Sequence, residues 1–458
     1  MCGSVATNIS SGREFLKALT SSSLALVLAF SLALPAKASP ITPAGREAFA
    51  APFTGLTRQH RREFFTGDSF FNDQWVSAPA TAANRDGLGP LFHARSCSAC
   101  HVKDGRGAPP AGDEVMTGLL LRLSAASGGP DKIYGSQLAV RALPGVEPEA
   151  EVKVSWIESE VTLVGGGVVK LRKPDIKVTR WNYGDPAPGI LLGPRLAPPV
   201  FGGGFLEAVP AATIEKNADP DDKNGDKISG RINWLTNPAT KEKVPGRFGW
   251  KANEPTLRAQ AAAAFSGDMG ITSAEHPNDE YTPAQAAKLS SIPNGGRPEA
   301  DLLVMDRVET YLRGLGAPAR RHAADPAVQR GEALFKSINC AACHLPELRT
   351  GDEHPFKELH GLTIHPFTDL LLHDMGPELA DGRPDGEASG SEWRTAPLWG
   401  LGLNAAVNGN VFFLHDGRAR SITEAILWHG GEAEASRNAF KALTAEDRAA
   451  LVRFLESL

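Results

Sequence analysis

The pentapeptide Cys97-Ser-Ala-Cys100-His101 returns as Cys340-Ala-Ala-Cys343-His344, and this doubled C-x-x-C-H pattern constrains the chain more than any other feature. Thiols at i and i+3 on a helical turn can each form a thioether with a vinyl group of haem. An imidazole at i+4 then stands over the porphyrin face and reaches the iron. Two C-x-x-C pairs also suit a four-thiolate zinc site or, in an exported protein, disulfides. The histidine that follows both pairs separates these readings, because c-type haem attachment requires it there and the others do not. Two covalently bound c-type haems are therefore expected.

The fifth cysteine, Cys2, lies in a segment that reads as a secretory signal over 1–38. Arg13 and Lys17 precede an apolar run from Ser23 to Leu34, and Ala36-Lys37-Ala38 supplies a small-x-small cleavage pattern. The run is shorter than the ~20 apolar residues of a membrane span. Cleavage near Ser39, a periplasmic location and no membrane span in the mature chain are the expectations, and they agree with haem attachment outside the cytoplasm. A net charge of −5 and the lack of a Lys/Arg-dense stripe argue against a nucleic-acid partner.

The flanks of the two motifs match: Leu91-Phe92-x4-Cys97 parallels Leu334-Phe335-x4-Cys340, which predicts a helix carrying a Phe before each site. The expected fold is mainly α, with two cytochrome c-like haem domains. An N-terminal haem domain spans 39–324 with a β-rich insertion at about 105–245, and a C-terminal domain spans 325–458. Within the insertion Val152, Val154 and Trp156 alternate with polar residues ahead of a Gly165-Gly166-Gly167 turn, the pattern of a β-hairpin. Leu257, Gln260, Ala261 and Ala264 share one helical face after Pro255. Thr444 and Asp447 have capping-box spacing for a final helix, and so do Ser421 and Glu424 for a helix that brings His429 onto its apolar face.

Between these elements, Asp222, Asn224 and Asp226 alternate as in half of a calcium loop, although Lys227 stands where a sharp turn favours Gly. Calcium binding and a solvated acidic turn both fit this stretch.

Several further segments carry a resemblance. They are Gly87 to Phe92, Arg247-Phe-Gly-Trp250-Lys-Ala252, Phe265 to Thr272, Leu372-His-Asp-Met-Gly376, Trp393 to Gly400 and Leu414-His-Asp-Gly-Arg418. Together they resemble the bacterial di-haem oxidoreductases, a peroxidase-like family related to di-haem cytochrome c peroxidases and to the di-haem enzyme of methylamine utilisation. The resemblance implies that Trp250 lies between the haems, and that Gln260 and Asp268 serve an open first haem. The spacing to Asp268 is two residues short, and Asp stands where the relatives have Glu. In those relatives Met or Tyr, fourteen residues beyond the His of His-Asp-Gly, ligates the second haem from its distal side. Here that count from His415 reaches His429. Met375 competes for this role, Met269 competes for the first iron, and Arg394 and Arg418 are candidates to pair with haem carboxylates.

The resemblance implies a periplasmic oxidoreductase. A small redox donor protein would feed electrons in at the C-terminal haem, and hydrogen peroxide would be reduced at the N-terminal one. Two other functions fit the same residues: a non-catalytic di-haem electron carrier, and peroxide-driven oxidation of a partner protein.

Overall fold

Two helix crossings of the same build organise the chain. The helix Arg58–Asn72 packs against Leu302–Gly314, and Pro326–Ser337 packs against Ala445–Ser457. Each crossing turns on a glycine four residues before a phenylalanine. A Cβ on Gly67 would lie 2.8 Å from Tyr311 Cβ, and one on Gly331 would lie 2.6 Å from Phe454 Cβ, so these axes approach only because both positions lack a side chain. One turn on, Phe71 meets Tyr311 with ring centroids 5.2 Å apart, and Phe335 meets Phe454 at 5.3 Å. The second helix of each pair starts at a side-chain cap: Asp301 accepts from Val304 N and Thr444 accepts from Asp447 N.

This computed structural model describes residues 41–42, 45–112, 114–237 and 240–458, so the expected signal at 1–38 lies outside the described residues. No described helix is long and apolar enough to cross a membrane.

Two expectations need correction. The fold is not mainly α: about 30 % of the structure is helix and 18 % strand, the strands forming seven small two-stranded sheets among the described residues. With 47 Gly and 34 Pro the chain is broken into short elements joined by long ordered loops, and helices such as Ile422–Leu427 last under two turns. The second correction concerns the motif flanks. Phe335 does sit on a helix, but Phe92 lies in the short strand Leu91–Phe92, paired with Arg141–Ala142. Gly87, Gly89 and Pro90 prevent a helix there. The counterpart of Phe335 is Phe71, 6.2 Å from the His101 ring as Phe335 is 6.4 Å from His344.

The strands within 105–245 are those the alternation predicts. Ala150–Thr162 pairs with Val168–Trp181 in a long hairpin, turned by Gly165 and Gly166 at positive φ. Leu119–Ser124 pairs with Leu191–Leu196. The hairpin tip lies on the C-terminal half. Leu163 and Leu171 join its core, and Val164 bonds the Lys441 carbonyl and the Arg448 guanidinium.

Alanine at an exposed helical glycine gains about 1 kcal/mol of helix propensity. Gly67→Ala and Gly331→Ala are expected instead to lose about 1–3 kcal/mol by overpacking, read as a drop in Tm. A gain in either variant would contradict the close crossings.

Candidate functional site

Cys97–Cys100 form one helical turn, and His101 follows it with its Nδ1 2.7 Å from the Pro198 carbonyl. A carbonyl can only accept, so Nδ1 carries the hydrogen and Nε2 keeps its lone pair. Burial brings the imidazole down to about 4, which keeps it neutral. Cys97 is pushed up to about 12 by burial and Cys100 is raised in the same way, its thiol donating to Thr117 O at 2.9 Å. None of the four described cysteines is in a disulfide.

These three residues line a cavity of about 430 Å³. Gln260, Asp268, Met269, Trp250 and Arg394, singled out in the sequence, line it as well. The helix Leu257–Met269, capped by Thr256, carries Gln260 and Asp268 into this wall. Gln260 Oε1 is buried with no protein donor. Asp268 is raised to about 6 by burial, opposed by the hydrogen bond from Gln137 Nε2 (2.7 Å) and the charge of Arg122. Arg394 donates to the Gly249 and Thr395 carbonyls, and burial lowers it to about 10.

Trp250 reaches from this cavity into the core of the C-terminal half. Its Nε1 donates to Leu196 O at 2.7 Å, and its ring meets His415 edge-on at 6.4 Å. His415 stacks on Trp393 at 3.6 Å, and burial holds the imidazole well below its usual range. Arg195 and Lys251, both paired with Asp381, lie 4.6 and 4.5 Å from the Trp393 ring centre.

The second motif forms a tight turn, Cys340–Ala342, after Asn339 ends the preceding helix at φ 64°. His344 Nδ1 lies 2.9 Å from the Phe367 carbonyl, and burial again brings the ring down to about 4. A proton on His429 would disfavour one on His344, so the two imidazoles lie within electrostatic reach of each other, and burial lowers His429 as well. Ser421 caps the helix Ile422–Leu427 as its spacing predicts, but the helix ends two residues short of His429. There the imidazole turns back, with Nδ1 2.8 Å from Ala425 O, and Nε2 is again the lone-pair nitrogen. Met375 packs, half-buried, against the same core. Arg418 is held by Asp416 and Glu378 O, away from the role of a free carboxylate partner.

In the acidic loop the side chains serve the loop's own backbone. Asp222 accepts from Lys227 N, Asn224 from Asp226 N and Asp226 from Ile228 N. Lys227 adopts the left-handed conformation, φ 68°, that its position demands.

Sequence reasoning missed Arg106, Gln137, His373 and the role of His415. Arg106 is fully buried on the cavity wall, with Nε and Nη1 lacking protein partners, and burial lowers it to about 10. Its place five residues after His101 was the one available signal. Gln137 finds its partner 131 residues away with no local pattern to mark it, whereas His373, inside the Leu372–Gly376 segment, has one carboxylate partner four residues back, Asp369, and one 59 residues on, Glu432.

The residues present fit haem at both sites. Each offers two thiols three residues apart and an imidazole whose Nδ1 is taken by a backbone carbonyl. The first adds a cavity walled by buried polar atoms without protein partners.

No curated protein matches the chain. Among solved structures, it is similar to hydrazine synthase of Kuenenia stuttgartiensis pressurised with xenon. The identity is 14 % over 98 % of this chain and 100 % of that one, with a TM-score of 0.33, too low to bear on fold or function. The family model "Di-haem oxidoreductase, putative peroxidase" matches residues 41–126 and 135–458. The chain belongs to the di-haem oxidoreductase family.

Proposed function

We propose that this chain is a periplasmic peroxidase-like oxidoreductase, with haems joined covalently to Cys97/Cys100 and Cys340/Cys343. The reaction is H2O2 + 2 e⁻ + 2 H⁺ → 2 H2O, with electrons from a small redox donor protein. The observation that carries this reading is one cavity wall. Gln260, with its unpaired Oε1, and Asp268, tuned to about 6, line the same cavity as His101.

Bound haem supplies the iron ligand face and reversible one-electron storage. The chain's own residues supply the rest. Asp268 takes a proton from one peroxide oxygen and returns it to the other, and a pKa near 6 suits both directions at neutral pH. The Gln260 carbonyl oxygen accepts from the peroxide O–H and orients it. Gln137, donating to Asp268, holds that carboxylate in place. Trp250 shortens the electron path between the sites. His344 and His429 are the residues that would hold the second haem, which would then supply electron transfer.

One observation favours a second reading. Met269 is buried on the same cavity wall, and a thioether on the first iron would make the protein a di-haem carrier.

Asp268 acts as a base only when ionised, and its pKa is raised, so peroxide reduction is expected to fall as pH drops through about 6. Asp268→Asn is expected to lower kcat/KM for peroxide by about 10²–10⁴-fold and to abolish that acid limb. Steady-state assays across pH 5–8 with a reduced cytochrome donor measure both. Unchanged rates in the variant would contradict the assignment. Arg106 should face a haem carboxylate, and Arg106→Leu would leave that charge unpaired. Thermal unfolding of the haem-loaded variant should show a loss of about 3–5 kcal/mol. Unchanged stability would place the carboxylate elsewhere.

A further inference from the structure

Beside the second motif, His373 is buried between two carboxylates from different parts of the chain. Its Nε2 lies 2.8 Å from Asp369 Oδ2 and its Nδ1 2.7 Å from Glu432 Oε2, with Cys343 Sγ 3.6 Å from the same Nδ1. His373 and Asp369 are each only 3 % exposed. Ionised carboxylates only accept, so an imidazole facing one at each nitrogen carries both hydrogens and a positive charge. Removing it would leave the buried Asp369 and the half-buried Glu432 without the cation between them.

One carboxylate belongs to the segment whose carbonyl orients His344, and the other to the segment that carries His429. Asp369 follows Phe367, whose carbonyl holds His344, by two residues. Glu432 follows His429 by three, and it also accepts from Asp374 N, Ser229 N and Ser229 Oγ. Ser229 and Gly230 end the acidic loop. A Cβ on Gly230 would sit 2.7 Å from His373 Cε1, so the loop's last glycine makes room for the ring.

We propose that His373 is a positioning residue for the second haem. Its fixed positive charge clamps the segment that carries His429 to the segment whose carbonyl orients His344, and sets the haem's reduction potential from beside the Cys343 attachment. This rests on reading His344 and His429 as the axial pair. The three groups together carry one net negative charge. Losing the imidazolium favours the oxidised haem, and losing a carboxylate charge favours the reduced one.

The test is spectroelectrochemistry of the haem-loaded protein, following the second haem. His373→Gln is expected to lower its midpoint potential. Glu432→Gln, close in shape and keeping an acceptor oxygen for Nδ1, is expected to raise it. Each shift should be at least threefold in the one-electron equilibrium constant, on a scale where tenfold is 59 mV. Opposite signs distinguish electrostatics from loosened packing, which would move both variants the same way. Shifts of the same sign, or smaller than threefold, would overturn the proposal. If His373→Gln fails to fold, Glu432→Gln alone decides by the sign and size of its shift. A wild-type protein with no bis-imidazole low-spin haem contradicts the His429 assignment and this inference with it. A wild-type signal with unmoved variants contradicts only the inference.

Discussion

Each imidazole of the doubled motif gives its Nδ1 hydrogen to a backbone carbonyl from elsewhere in the chain. Pro198, 97 residues on, serves His101, and Phe367, 23 residues on, serves His344. These two bonds fix the tautomer, turn the ring and leave the Nε2 lone pair free to bind a metal. Much of the fold serves to deliver those carbonyls. Pro198 follows the strand Leu191–Leu196, which Leu119–Ser124 holds in register, so the β-rich segment is part of the first site's framework. Phe367 sits in a loop tied by Thr368 N to Leu345 O and by the Thr368 hydroxyl to Thr395 O.

From that shared framework the two sites diverge. The first faces a cavity whose wall mixes buried polar atoms with apolar side chains, and a small ligand would meet Gln260 and Asp268 there. The second has the buried imidazole of His429 within electrostatic reach of His344, and its surroundings are cross-linked by the carboxylates around His373. One arrangement suits chemistry on a vacant face, and the other suits an electron store that does not rearrange. Trp250 touches both regions, and the His415–Trp393 stack beside it is flanked by the buried cations Arg195 and Lys251.

Local signals were legible in the sequence. The C-x-x-C-H turns, the Thr444 and Ser421 caps and the Ala150–Trp181 hairpin depend on residues a few positions apart, and each forms where its pattern lies. The internal repeat was also present, as Gly67-x3-Phe71 and Gly331-x3-Phe335. A coincident Leu-Phe ahead of each cysteine pair concealed it, because pairing with Arg141–Ala142 makes Phe92 part of a strand. The fold class was misjudged for a related reason: helical stripes count strongly in a sequence, while glycine- and proline-rich ordered loops leave no periodic trace. Within the site, Gln260 and Asp268 came from resemblance. Gln137 meets Asp268, and His373 meets Glu432, only once the chain is folded, and Arg106 stands out through its burial on the cavity wall.

The central claim is that two chemically similar attachment motifs carry haems with unlike coordination. Electron paramagnetic resonance of the resting, fully oxidised protein tests it most directly. The account predicts one low-spin bis-imidazole species from the second site and a separate signal from the first that changes when a small exogenous ligand is added. Two low-spin signals, both indifferent to added ligand, would contradict it.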